Sequence, residues 1–182
     1  MPDQSEHLNE KQIQSELIYD GRVVHLYRET VQLPDGQTAV RDVVHHSGAV
    51  AILPFDPDGK LIMVRQFRLP ARRALLEIPA GALEPGEAPE RCAIRESQEE
   101  IGYKPGSLER IGGVYLAPGY STEFIHFFVA RDLTESRLAH DADEFLDVER
   151  YSLEDVYALI KEGKITDAKT ISALMMYQLL KG

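Results

Sequence analysis

Residues 95–100, Arg-Glu-Ser-Gln-Glu-Glu, put three carboxylates within little more than one helical turn. On an α-helix Glu96 and Glu100, four apart, share one face, and Glu99, three from Glu96, adjoins it. Like charges so placed repel by roughly a few tenths of a kcal/mol per pair. They also sit towards the C-terminal end of the helix, where the macrodipole disfavours negative charge. A hard divalent cation reverses that balance, because Mg²⁺ prefers carboxylate oxygen. A metal held this way suits chemistry on an anionic substrate whose own charge repels nucleophiles. The plain alternative is a solvated acidic helix face screened by Arg91 and Arg95. Gly81 and Gly102, where loops enter and leave the segment, weigh against it.

The helix expected over residues 89–101 starts at Pro89 and stops at Gly102, a natural C-terminal cap. Ahead of it, residues 49–55 read as a buried strand, Asp56-Pro57-Asp58-Gly59 as a turn and 61–67 as the partner strand. Residues 75–78 form a short apolar piece running into Pro79-Ala80-Gly81. Further upstream, 23–33 and 38–45 flank Pro34-Asp35-Gly36 as a hairpin, and the polar opening residues 1–14 read as a loose lead-in. Downstream, strands are expected over 108–116, 124–129 and 145–151. Ser152 starts a helix through Lys161, and a last helix covers 168–180 with Ile171, Leu174, Met175 and Leu179 on its apolar side. Strands mixed with three helices define an α/β (α+β) layered domain.

The net charge of −10 argues against nucleic acid as the main partner, since phosphate backbones need clustered Lys and Arg. It leaves room for a small phosphorylated ligand met by bound metal. No apolar run approaches the length needed to span a bilayer. The acidic opening is no secretory signal, and the single cysteine, Cys92, excludes an intramolecular disulfide; both fit the cytoplasm. The adjacent His45 and His46 face opposite sides of a strand and are poorly placed to share one metal.

The spacing Gly81, five residues, Glu87, seven residues, Arg95-Glu96, then Glu99-Glu100, one residue, Gly102 resembles the Nudix box. Ser97 departs from it, standing where the family usually has an aliphatic residue. Further segments are similar to the ADP-ribose pyrophosphatase branch of that family: Gln66-Phe67-Arg68, Leu76-Glu77-Ile78-Pro79-Ala80-Gly81, Leu116-Ala117-Pro118-Gly119-Tyr120-Ser121-Thr122-Glu123 and Asp141-Ala142-Asp143-Glu144-Phe145. Pro118 follows Gly102 by sixteen residues, the spacing typical of the branch, with Ala117 replacing a common Ser. The resemblance runs from about residue 16 to the C-terminus.

It implies a Nudix-type αβα sandwich with a mixed sheet over residues 46–182, preceded by N-terminal β strands over 1–45 that build a domain-swapped homodimer and contact substrate. It implies one to three Mg²⁺ ions, with Mn²⁺ the alternative, held by Glu96, Glu99, Glu100 and the carbonyl of Ala80, while Glu87 and Arg95 brace the loop and helix. Glu144 is the implied general base, with Glu99 or Glu100 next in line. Arg68, Arg41, Glu77, Pro118, Gly119 and Glu123 are the implied substrate contacts: Arg68 for phosphate, Arg41 for the nucleotide, Glu123 for the terminal sugar hydroxyls. Surface ion pairs and an ordinary turn are the plain alternatives. The implied activity is hydrolysis of the diphosphate of a nucleoside diphosphate sugar, foremost ADP-ribose to AMP and ribose 5-phosphate. The rivals are a broader or different nucleoside diphosphate sugar specificity, such as GDP-mannose or ADP-glucose, and a non-catalytic ADP-ribose-binding module. Such modules usually lose box carboxylates or gain a DNA-binding extension, and this sequence has all three box carboxylates and no such extension.

Overall fold

Strand β4 (Ala49–Pro54) is buried along its whole length, because both of its faces are covered. In this computed structural model, which describes residues 6–139 and 145–181, the central sheet runs in the order β7 (Ala80–Ala82), β4, β10 (Phe124–Arg131), β9 (Ser107–Tyr115). The β4–β10 pair is parallel and the others are antiparallel, so the sheet is mixed. Strand alternation assigns the side chains to two layers. Val50, Ile52, Phe128 and Ala130 pack with Cys92 and Ala93 of helix α1 (Pro89–Glu96). Ala51, Leu53, Phe127 and Val129 pack with Ala173, Leu174 and Tyr177 of helix α3 (Ala168–Lys181). This is the αβα sandwich.

A second sheet pairs β12 (Leu146–Tyr151) and β6 (Arg73–Glu77) with β5 (Leu61–Arg68) in the order β12-β5-β6. Leu61 and Met63 join the main core, with Val156 of α2 (Leu153–Lys161), while Ile62 and Val64 cover Ile101. A small pair, β8 (Tyr103–Lys104) with β11 (Thr134–Glu135), completes this unit, which comprises Gly48–Leu116 and the chain from Phe124 onward. Ser152 caps α2 by accepting from the Asp155 N–H. Among the described residues, no helix is long and apolar enough to cross a membrane.

The other unit ends at Ser47 and takes back Ala117–Glu123. It is an antiparallel sheet in the order β1 (Lys11–Asp20), β2 (His25–Gln32), β3 (Thr38–His45), with Gly36 in the positive-φ conformation that the turn requires.

Three expectations need correction. The lead-in expected to be loose contains the start of β1, whose ten residues are all exposed; its order comes from pairing with β2, which a period-2 apolar pattern does not announce. The helix over 89–101 is not uniform, since α1 ends at Glu96 and a π-helical turn follows over Ser97–Ile101. On α3, Met175 and Leu179 are 60% and 73% exposed, and the helix instead buries Lys169, Thr170, Ala173, Leu174 and Tyr177.

Candidate active site

The loop–helix–loop built from β7, α1 and the π turn gathers its carboxylates around one guanidinium. Arg95 Nη1 donates to Glu96 Oε1 at 2.6 Å and to Glu99 Oε2 at 2.8 Å. Its Nε and Nη2 reach Glu87 Oε1 and Oε2 at 3.1 and 3.0 Å, and Nη2 also donates to the Ala82 carbonyl at 3.2 Å. The Arg95 hydrogen bonds hold the Glu87 carboxyl down to about 2, against the opposing effect of burial. Glu87 also accepts from the Glu84 N–H, closing the loop ahead of the helix. Glu100 accepts from the Ala80 N–H at 2.9 Å.

The π turn matters to this arrangement. Hydrogen bonds closing at i→i+5 put more residues in each turn and re-aim the side chains that follow, a feature often found at functional sites. Gly102 ends it in the left-handed conformation, φ 78°, its N–H bonded to the Ser97 carbonyl. Ser97, the departure from the box pattern, is fully buried, and its hydroxyl donates to the Tyr103 carbonyl at 2.7 Å. A buried polar group is thus satisfied where an aliphatic side chain would otherwise stand.

Among the described residues, no three carboxylate, histidine or cysteine side chains are arranged as a ready ligand set. Arg95 already bridges Glu96 and Glu99, and Glu100 is turned to the Ala80 amide. The donor set nevertheless fits a hard divalent ion. It consists of carboxylate oxygens, and two of them converge on a single positive group. Gly81 supports the same conclusion, because a Cβ built there would overlap the Glu96 carboxyl group. The Gly81→Ala variant should therefore fold normally, since only the end of a flexible side chain must move. Its turnover should fall by about 10²-fold through displacement of Glu96. A thermal melt and a kcat measurement check this; wild-type turnover would show that the position of Glu96 is immaterial.

A second charged cluster sits beside the first. Arg68 Nε and Nη2 donate to Glu77 Oε1 and Oε2 at 3.0 and 2.7 Å, and Lys169 also donates to Glu77 Oε2. Burial pushes the Glu77 carboxyl up, but the Arg68 hydrogen bonds and the Lys169 charge together hold it below the ordinary carboxylate range. The Glu77 hydrogen bonds raise the Arg68 guanidinium against the opposing effect of burial, and the charges of Glu77, Glu100 and Asp167 add to the rise. Glu100 thus links the second cluster electrostatically to the first. Lys169 and Glu77 are both buried, and removing one partner of such a pair costs about 3–5 kcal/mol, because a charge is stranded.

In the N-terminal unit, Arg41, Pro118 and Gly119 line one cavity of about 350 Å³ together with Glu10, Glu29 and Tyr120. Arg41 is held there by Glu10, at 3.1 and 2.6 Å. The Tyr120 and Ser121 amides turn back onto the Ala117 carbonyl, which shapes the Pro118-Gly119 turn. Glu123 lies in the same unit, its N–H on the Ser121 hydroxyl and its carboxylate 4.0 Å from His46 Nε2. Glu144 lies outside the described residues. The sequence reading passed over Lys169 and Asp167. An Asp before a helix is a capping signal that sequence carries, but the pairing of Lys169 with Glu77 spans 92 residues and leaves no local trace.

With its αβα sandwich and box loop, the chain belongs to the Nudix hydrolase family: the NUDIX domain profile matches residues 45–174, and the profile of the nucleoside diphosphate sugar hydrolase N-terminal domain matches residues 10–44. The protein is a Nudix pyrophosphohydrolase. It is 45% identical to the ADP-ribose pyrophosphatase of Bacillus subtilis (strain 168) over 174 residues, covering 94% of each chain. It is also 42% identical to the methanol dehydrogenase activator of Bacillus methanolicus over 172 residues, covering 93% of each. Its fold matches the crystal structure of an ADP compounds hydrolase with a TM-score of 0.85 at 24% identity, covering 94% of both chains. Hydrolases of this family generally use divalent metal ions.

Proposed function

We propose that this protein hydrolyses the diphosphate of ADP-ribose, giving AMP and ribose 5-phosphate in a Mg²⁺-dependent reaction. The observation that carries the reading is the convergence of Glu96 and Glu99 on one cationic centre against Gly81, with Glu100 anchored on Ala80 alongside. The similarity to a relative named ADP-ribose pyrophosphatase over nearly the whole chain supports the substrate.

In this reading Glu96, Glu99, Glu100 and the Ala80 carbonyl hold one to three Mg²⁺ ions, with Mn²⁺ as a substitute, while Arg95 and Glu87 brace them. When bound, the ions supply the positive charge that lets a nucleophile approach the diphosphate. Arg68 binds a phosphate oxygen, and Glu77 contributes to substrate binding through Arg68. Arg41, Pro118 and Gly119 serve the nucleotide, and Glu123 the terminal sugar hydroxyls. A water oxygen bonds to phosphorus as the bridging P–O bond breaks, and the Glu144 carboxylate takes the water proton. Glu99 or Glu100 would be the base if Glu144 is not.

The strands of residues 1–45 serve dimerisation and residues 46–182 catalysis. Support for a homodimer comes from β1, a ten-residue edge strand with Ile13, Leu17, Ile18 and Tyr19 exposed, a surface that a monomer would leave open to pairing. Light scattering should give twice the chain mass of 20.5 kDa; a fully active monomer contradicts the dimer. The cytoplasm is the compartment that a single buried cysteine suits.

A phosphatase-coupled phosphate-release assay over ADP-ribose, ADP-glucose and GDP-mannose tests the function. ADP-ribose should be preferred, and chelation of the metal should abolish release. Preference for another sugar would move the substrate, and binding of ADP-ribose without turnover would point to a sensor.

A further inference from the structure

We propose that Lys169 is a positioning residue for the diphosphate: it balances the buried Glu77 carboxylate, so that Glu77 holds the Arg68 guanidinium in place without cancelling its charge. The inference rests on the reading that Arg68 contacts the substrate phosphate. Four groups alternate in sign along one connected path, Arg68, Glu77, Lys169 and Asp167. Glu77 is 1% exposed and Lys169 8%, so solvent does little to screen the pair. Both ends of the path are anchored. Lys169 Nζ lies 3.0 Å from Asp167 Oδ1, and the Thr170 amide and hydroxyl both donate to Asp167 Oδ2, at 2.9 and 2.5 Å. The Thr170 hydroxyl in turn accepts from the Ile78 N–H at 3.0 Å, one residue past Glu77.

The arrangement answers a specific electrostatic difficulty. The Nε and Nη2 atoms of Arg68 are both spent on Glu77, which fixes the plane of the guanidinium and directs its Nη1 side away from the carboxylate. An arginine paired one-to-one with a buried carboxylate presents no net charge to a diphosphate. A second cation on the same carboxylate leaves the trio at a net positive charge. Asp167 brings the four groups to overall neutrality, but it is held on Lys169 and Thr170 and acts on Arg68 more weakly than Glu77 does, so the charge that Lys169 offsets next to Arg68 is that of Glu77.

The test measures ADP-ribose hydrolysis with Mg²⁺ in Lys169→Met, Arg68→Ala and the double variant Glu77→Gln/Lys169→Met. Lys169→Met should raise KM roughly tenfold, with the effect on KM rather than kcat. The double variant keeps one hydrogen-bond acceptor for Arg68 and removes both buried charges, so its KM should fall below that of Lys169→Met without reaching the wild-type value, because Glu77 no longer holds Arg68 by both oxygens. A lysine that serves the fold alone predicts a lowered melting temperature in Lys169→Met with KM unchanged. An unchanged KM in folded Lys169→Met, beside a raised one in Arg68→Ala, overturns the inference alone. An unchanged KM in Arg68→Ala overturns the phosphate reading and the inference with it. If Lys169→Met does not fold, the double variant decides: a KM well below that of Arg68→Ala supports the inference, and a KM as high as that of Arg68→Ala overturns it.

Discussion

Glu96→Gln is expected to give a folded protein that hydrolyses ADP-ribose at least about 10²-fold more slowly, because losing even an outer partner of a metal ligand typically costs 10–100-fold. Glutamine keeps the volume of the side chain and its contact with Gly81 but removes the charge. Arg95 retains Glu87 and Glu99, so the loop–helix brace survives and stability should change little. If Glu96 were merely one more ion-pair partner of Arg95, turnover would barely change. The two accounts separate on kcat and on the Mg²⁺ concentration needed for half-maximal rate, which the metal account shifts upward. Wild-type turnover at low Mg²⁺ would remove Glu96 from the ligand set.

Glu144→Gln should lower kcat by about 10²–10⁴-fold, the range for loss of a general base, while leaving metal affinity intact. The amide is isosteric but cannot take a proton from water at neutral pH. The combination of lost turnover with retained metal binding distinguishes a base from a ligand. Near-normal turnover in the variant would transfer the role to Glu99 or Glu100.

What the sequence disclosed and what it concealed divide along the range of the interactions. Turns at Pro34-Asp35-Gly36 and Asp56–Gly59, the apolar run of β4 and the stop at Gly102 are local features, and each stands in the structure where the residues put it. Glu96 and Glu99 are also close in sequence and both reach Arg95, whereas Glu100 bonds the Ala80 amide. The π turn is different: nothing in Ser97–Ile101 signals that its hydrogen bonds close one residue later than in an α-helix. Strand β1 carries no buried residue, so no apolar alternation marks it. Met175 and Leu179 follow the apolar period of α3, yet the core takes Lys169, Thr170 and Tyr177 from that helix instead. Lys169 and Thr170 are drawn in by Glu77 and Ile78, partners that lie 92 residues earlier. Buried polar networks formed over such separations are set by tertiary contacts and cannot be read from a window of sequence.

Titration of Mn²⁺ into the metal-free protein, followed by calorimetry, tests the central claim most directly, because it reads cation binding without turnover. The account predicts one to three ions bound to the wild type, with the tightest site lost in a Glu96→Gln/Glu100→Gln variant that melts normally. Equal binding by wild type and variant, or no binding by the wild type, would contradict it.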